Sequence, residues 1–116
     1  MQFKLIIALV NDGKVEAVLD AAREAGATGS TVITSARGEG LRPQKTFLGL
    51  DLRGQRDMVL LVVEEHLSRT ILETVAKAGH FDSEPGSGIA FQLAVEDAVG
   101  LSSQIAELSK KIEDEI

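Results

Sequence analysis

The sequence predicts a ferredoxin-like α+β domain: a βαββαβ antiparallel sheet with both helices on one face, followed by a C-terminal helix. Three observations lead there. Strand-type and helix-type segments run strand–helix–strand, pause at a long polar loop, then run strand–helix–strand again. The chain has 116 residues, the size of one domain. It also has too few strands and helices to cover both faces of a doubly wound parallel sheet. Residues 1–100 make the domain and residues 101–116 the extra helix.

Residues 3–10 are apolar and rich in branched side chains, and Asn11-Asp12-Gly13 closes them. That is a strand followed by a helix-start signal. Val15, Val18, Leu19 and Ala22 then recur at helical spacing, with Glu16, Asp20, Arg23 and Glu24 around them and Gly26 placed to end the helix. Residues 31–36 form the second strand, and the polar loop runs from Arg37 to about Arg56. Residues 58–63 are the third strand. Ser68 is placed to cap a helix carrying Leu67, Ile71, Leu72, Val75 and Ala78, which Gly79 closes. A short loop over residues 81–88 leads into the last strand, 89–95.

One face of such a sheet is left without helices, so its strands should alternate apolar and polar. The first and third do not: LIIALV and MVLLVV are apolar on both sides. Something must cover the second face, either another copy or the C-terminal segment folded back. Homo-oligomerisation through the sheet is the favoured expectation. Beyond Gly100, Leu101, Ile105, Leu108 and Ile112 form a narrow apolar stripe beside residues of both charges, which suits docking and not a membrane surface.

Composition narrows the function. A net charge of −6 opposes non-specific nucleic-acid binding. There is no cysteine, so disulfide and thiolate chemistry are excluded, in keeping with a reducing cytoplasm. The apolar run near the start is too short to span a membrane. Neither a nucleophile-elbow pattern nor a plausible Ser/His/Asp set is visible, and Glu96-Asp97 would diverge on a strand. Catalysis is not expected.

Two glycine-rich turns are the candidate ligand site. Thr31–Gly40, TVITSARGEG, is a strand that stops at Arg37 and enters a Gly38-Glu39-Gly40 turn. Gly86-Ser87-Gly88 precedes the last strand. Glycines let backbone N–H groups approach an anion, and Arg37, with Arg42 and Lys45 nearby, would supply positive charge for a phosphorylated ligand. The plainer alternative is a tight turn entering a strand. A metal site at Glu64, Glu65, His66 and His80 is a third possibility, opposed by the divergence of neighbouring side chains at a strand end.

GATGSTVITSARGEG after the first helix, a long loop, and PGSGIAF at the last strand together resemble the PII-type signal-transduction family, over about residues 3–100. The resemblance implies a trimer with inward-facing sheets, adenine nucleotide in the clefts between subunits, and regulation of a protein partner such as a membrane transporter or an enzyme of nitrogen or carbon metabolism. It implies no chemistry on a substrate. Position by position, Thr31 matches a residue on the adenine side, Gly38 and Gly40 the start of the partner-contacting loop, and Gly86 and Gly88, flanking Ser87, the phosphate-side loop. Within the partner-contacting loop, Leu41, Arg42, Lys45, Phe47 and Arg53 are the expected contacts.

Departures from the family pattern modify these expectations. Ile89 stands where the family has a phosphate-binding lysine, and Gly100 and Ser102 where it has arginines. The loop is a few residues shorter, and there is no tyrosine to be nucleotidylated. With less positive charge, AMP, ADP or a cyclic nucleotide is expected in preference to ATP, with Arg37 in partial compensation. Loss of ATP would also remove the usual support for 2-oxoglutarate. The alternatives are a divalent-metal-binding trimer of the same fold, similar to the divalent-cation tolerance proteins, and a purely structural interaction module.

Overall fold

The structure is a computed structural model that describes residues 1–36, 46–47, 50–51 and 56–115. Its elements are β1 (Phe3–Asn11), a 3-10 turn (Asp12–Lys14), α1 (Val15–Glu24), β2 (Thr31–Ala36), β3 (Thr46–Phe47), β4 (Leu50–Asp51), β5 (Arg56–Glu64), α2 (Glu65–Ala78), β6 (Gly88–Val95) and α3 (Ser102–Glu115). The main sheet has the order β2-β5-β1-β6, with every neighbouring pair antiparallel. This is the expected ferredoxin-like α+β arrangement. The short β3–β4 pair, Thr46 opposite Asp51 and Phe47 opposite Leu50, falls inside the segment read as loop. Two-residue strands are too short to show a period of two, so the sequence carries no signal for them.

The core lies between the sheet and its helices. Ile6, Ala8 and Val10 of β1 and Val59, Leu61 and Val63 of β5 point inward, against Val15, Val18 and Ala22 of α1 and Leu67, Ile71 and Val75 of α2. Each fully buried Val, Leu or Ile among them stabilises the fold by about 1.5–3 kcal/mol.

Helix ends bear out Gly26 and Gly79 and correct one sequence assignment, Ser68. Gly26 adopts φ +120 just beyond α1, a conformation open to glycine, and donates its N–H to the Arg23 carbonyl (3.1 Å). Ser68, however, does not cap α2. β5 runs straight into that helix, leaving Glu64 as the extended residue at its start, and the Glu64 carboxylate accepts the His66 N–H at 2.6 Å. A carboxylate there also meets the positive end of the helix dipole. Ser68 lies one turn further in, donating its hydroxyl to the Glu65 carbonyl (2.9 Å). At the other end Gly79 is the final cap with φ −85, and the left-handed residue is His80 at φ 57. Gly79 is therefore required for space: a Cβ there would lie 2.2 Å from the Phe81 ring.

The second face of the sheet is apolar and open within one chain. Register places Ile33, Met58, Leu9 and Ile89 in one row across the strands, Thr31, Leu60, Ile7 and Phe91 in the next, and Val62, Leu5 and Leu93 in a third. Ile33, Val62, Phe91 and Leu93 keep 46, 37, 38 and 49% of their surface exposed. The C-terminal helix does not cover them. α3 docks instead beside the α1–β2 connection, where Leu108 enters the helix-side core at 1% exposure and Thr28 Oγ1 donates to Gln104 Oε1 at 2.8 Å. Among the described residues no helix is long and apolar enough to cross a membrane.

Candidate functional site

Both glycine-bearing segments leave the sheet at the same end. β2 departs from regular register between Ile33 and Ala36, and Ser35 adopts φ 58, which is rare outside glycine. Its N–H is held by the Asp57 carboxylate of β5 at 3.1 Å. Beyond this bulge the pairing with β5 resumes at Ala36, opposite Arg56. Arg37, Gly38, Gly40, Leu41, Arg42, Lys45 and Arg53 lie outside the described residues, and Phe47 is described through its strand pairing alone.

The second turn is built from its own backbone. Phe81 packs its ring over both Gly79 and Gly88; a Cβ at Gly88 would come within 2.3 Å of that ring and 2.8 Å of the Leu9 carbonyl oxygen. Gly88 thus has a packing reason to be glycine, while Gly86, at φ +78, has a conformational one. Ser87 is buried, its hydroxyl donating to the His80 carbonyl (2.8 Å) and its N–H to the Glu84 carbonyl (3.1 Å). Lys14 reaches in from the start of α1. Its ammonium donates to the Gly79 carbonyl (3.2 Å) and to Glu84 Oε2 (2.5 Å). That hydrogen bond, reinforced by the Lys14 charge, holds the Glu84 carboxyl below its ordinary value; burial opposes the shift and the nearby His80 adds to it.

Arg56 joins the two regions, and sequence reading missed it as a site residue. It opens β5, opposite Asn11 on one side and Ala36 on the other, and its guanidinium Nη2 donates to the Gly86 carbonyl at 3.4 Å. Read in sequence it merely ended a polar loop. Its role depends on a strand pairing that brings residue 56 beside the exit of β2 and within reach of residue 86.

Distances decide which candidates can share a ligand. β2 and β6 are opposite edges of the sheet, three strand spacings apart, or about 14 Å. Thr31 pairs with Leu60, which adds several residues of offset along the strands from the Arg56–Gly86 end. Within one chain, Thr31 and Gly86 are thus too far apart to touch one mononucleotide. Behind the turn, a groove of about 480 Å³ lies between α2 and β6. Its cation Arg69 is paired with Glu73 (2.7 Å) and it also carries Asp82, so it offers an anion little. Ile89, where a lysine was expected from the resemblance, belongs to the apolar row opposite Leu9.

The metal alternative gains no support from geometry. Buried Glu64 bonds His66 Nδ1 at 2.6 Å as well as the His66 N–H, and His80 lies at the far end of α2. Among the described residues no three His, Asp or Glu side chains converge as a metal site.

The described residues thus form a ferredoxin-like sheet with the end of β2 and the Gly86–Gly88 turn at one end and Arg56 between them. Comparison with known proteins names the class more closely. The sequence matches the family described as Nitrogen regulatory protein P-II over residues 3–104, and the chain belongs to that family. Its fold is similar to the crystal structure of a PII-like signaling protein from Thermus thermophilus, with a TM-score of 0.60 and 21% identity, covering 82% of this chain and 87% of that one. No curated protein matches the chain.

Proposed function

We propose that this chain is a non-enzymatic cytoplasmic regulator that binds a small adenine nucleotide between copies of itself and signals to a protein partner through residues 40–56. The reading is carried by Arg56, whose backbone pairs with the exit of β2 while its guanidinium meets the Gly86 turn. Its guanidinium thereby lies between the end of β2 and the Gly86 turn. The separation of Thr31 from Gly86 within a chain supports a site shared between copies, with Thr31 supplied by one copy and Arg56 with the Gly86–Gly88 turn by the next. The open apolar sheet face supports a homotrimer as the assembly that brings them together.

With Ile89, Gly100 and Ser102 in place of the basic residues the resemblance implies, and a net charge of −6, the proposed site favours AMP, ADP or a cyclic nucleotide over ATP. Binding would select one arrangement of residues 40–56 and so change affinity for the partner, a population shift and not a chemical step. Calorimetric titration with AMP, ADP, ATP and cyclic AMP tests this directly. Binding of at least one, weakened by both Arg56→Ala and Arg37→Ala, is expected; absence of heat with all four would overturn it.

A further inference from the structure

Lys14 ends the 3-10 turn Asp12–Lys14 that runs directly into α1, and its side chain makes no cap bond to that helix. The side chain serves a different helix. Across 65 and 70 residues of sequence it bonds the Gly79 carbonyl at the end of α2 and the Glu84 carboxylate in the turn that follows. A cation is favoured at that C-terminus because the carbonyls there form the negative end of the helix dipole.

The bonds that shape residues 79–88 form a chain. The Glu84 N–H donates to the His80 carbonyl (2.9 Å), the Ser87 N–H to the Glu84 carbonyl (3.1 Å), and the Ser87 hydroxyl back to His80 (2.8 Å). Lys14 grips this chain at both ends of its first half, Gly79 and Glu84. We propose that Lys14 is a positioning residue for the Gly86-Ser87-Gly88 turn, fixing it to the start of α1 so that the turn is presented in one conformation to the phosphate of a bound nucleotide. The ligand half of this inference rests on the nucleotide reading above; the clamp half does not.

Local exchange separates positioning from ordinary stabilisation: Lys14→Asn removes the clamp, so Ser87 should lose protection while the core amides of β1 and β5 keep theirs. Amide exchange of Ser87, read by NMR on the full chain, should accelerate about threefold to tenfold in Lys14→Asn and in Glu84→Gln, and return toward wild type in Lys14→Arg. The ADP-to-adenosine affinity ratio should fall by a similar factor, because adenosine has no phosphate for the turn to hold. Unchanged Ser87 exchange in both Lys14→Asn and Glu84→Gln would overturn the clamp. Faster exchange with an unaltered ADP-to-adenosine ratio would overturn the positioning role. If wild type binds neither ligand, the nucleotide reading fails, and Ser87 exchange still decides whether Lys14 sets the turn.

Discussion

At the scale of single residues, Phe81 explains more than any charged group in the site. Its ring occupies the space above Gly79 and Gly88, so both glycines are required before any ligand is considered. Gly79→Ala and Gly88→Ala should each destabilise by about 1–3 kcal/mol, as overpacking does. The two differ in what must move. At Gly79 the obstacle is the Phe81 side chain, whereas at Gly88 the Leu9 backbone carbonyl adds to it. A double-mutant cycle with Phe81→Leu, followed by denaturant midpoints, should therefore show large coupling for Gly79→Ala and a smaller relief for Gly88→Ala. Glu84 gives a pH prediction. Lys14 holds its carboxyl below the ordinary 4.5, so its contribution is fully present above that value and disappears as pH falls through the lowered one. Ser87 amide protection should decline as pH drops below 4.5 in wild type and lose that dependence in Glu84→Gln.

At the scale of elements, α3 tests how the chain uses its C-terminal stripe. Leu108 is buried, Leu101 is partly covered and Ile105 remains 40% exposed, so the stripe docks along part of its length. Leu108→Ala should cost about 2–5 kcal/mol by loss of transfer energy plus a cavity, while Ile105→Ala should cost well under half as much. Thermal unfolding of the two variants checks the order. The same helix shows where sequence was legible and where it was not. Helical spacing in 15–22 and 67–78 revealed α1 and α2, because each buries one face and the period records it, whereas 3–10 and 58–63 showed as unbroken apolar runs bounded by turn signals. Ser68 misled because a serine ahead of an apolar run looks like a cap, although the strand-to-helix junction had already placed Glu64 to do that work. Lys14 and Arg56 escaped for a related reason: their partners are 65, 70 and 30 residues away, and no local pattern encodes such a pairing. Gly88 was legible as special, but ring packing was hidden behind a motif that suggests phosphate.

At the scale of the whole molecule, the open sheet face is the feature that the rest depends on. A monomer would expose three rows of apolar side chains, more than a small soluble domain ordinarily leaves to water. Covering that face with other copies would bury Phe91 and Leu93 and bring the β2 edge of one chain toward the glycine turn of another. Assembly and ligand binding should therefore fail together. Leu93→Asp puts a carboxylate on the face at a position 49% exposed in the single chain, so the domain itself should still fold. In a trimer each copy would bury an unpaired charge, a penalty far larger than the burial energy of the leucine it replaces. Sedimentation should show a trimer for wild type and a folded monomer for Leu93→Asp, with circular dichroism unchanged, and that monomer should lose nucleotide affinity although every site residue is intact. A wild-type monomer, or a Leu93→Asp monomer that binds nucleotide as tightly as wild type, would place the whole site within one chain, contrary to the separation of the sheet edges by about 14 Å.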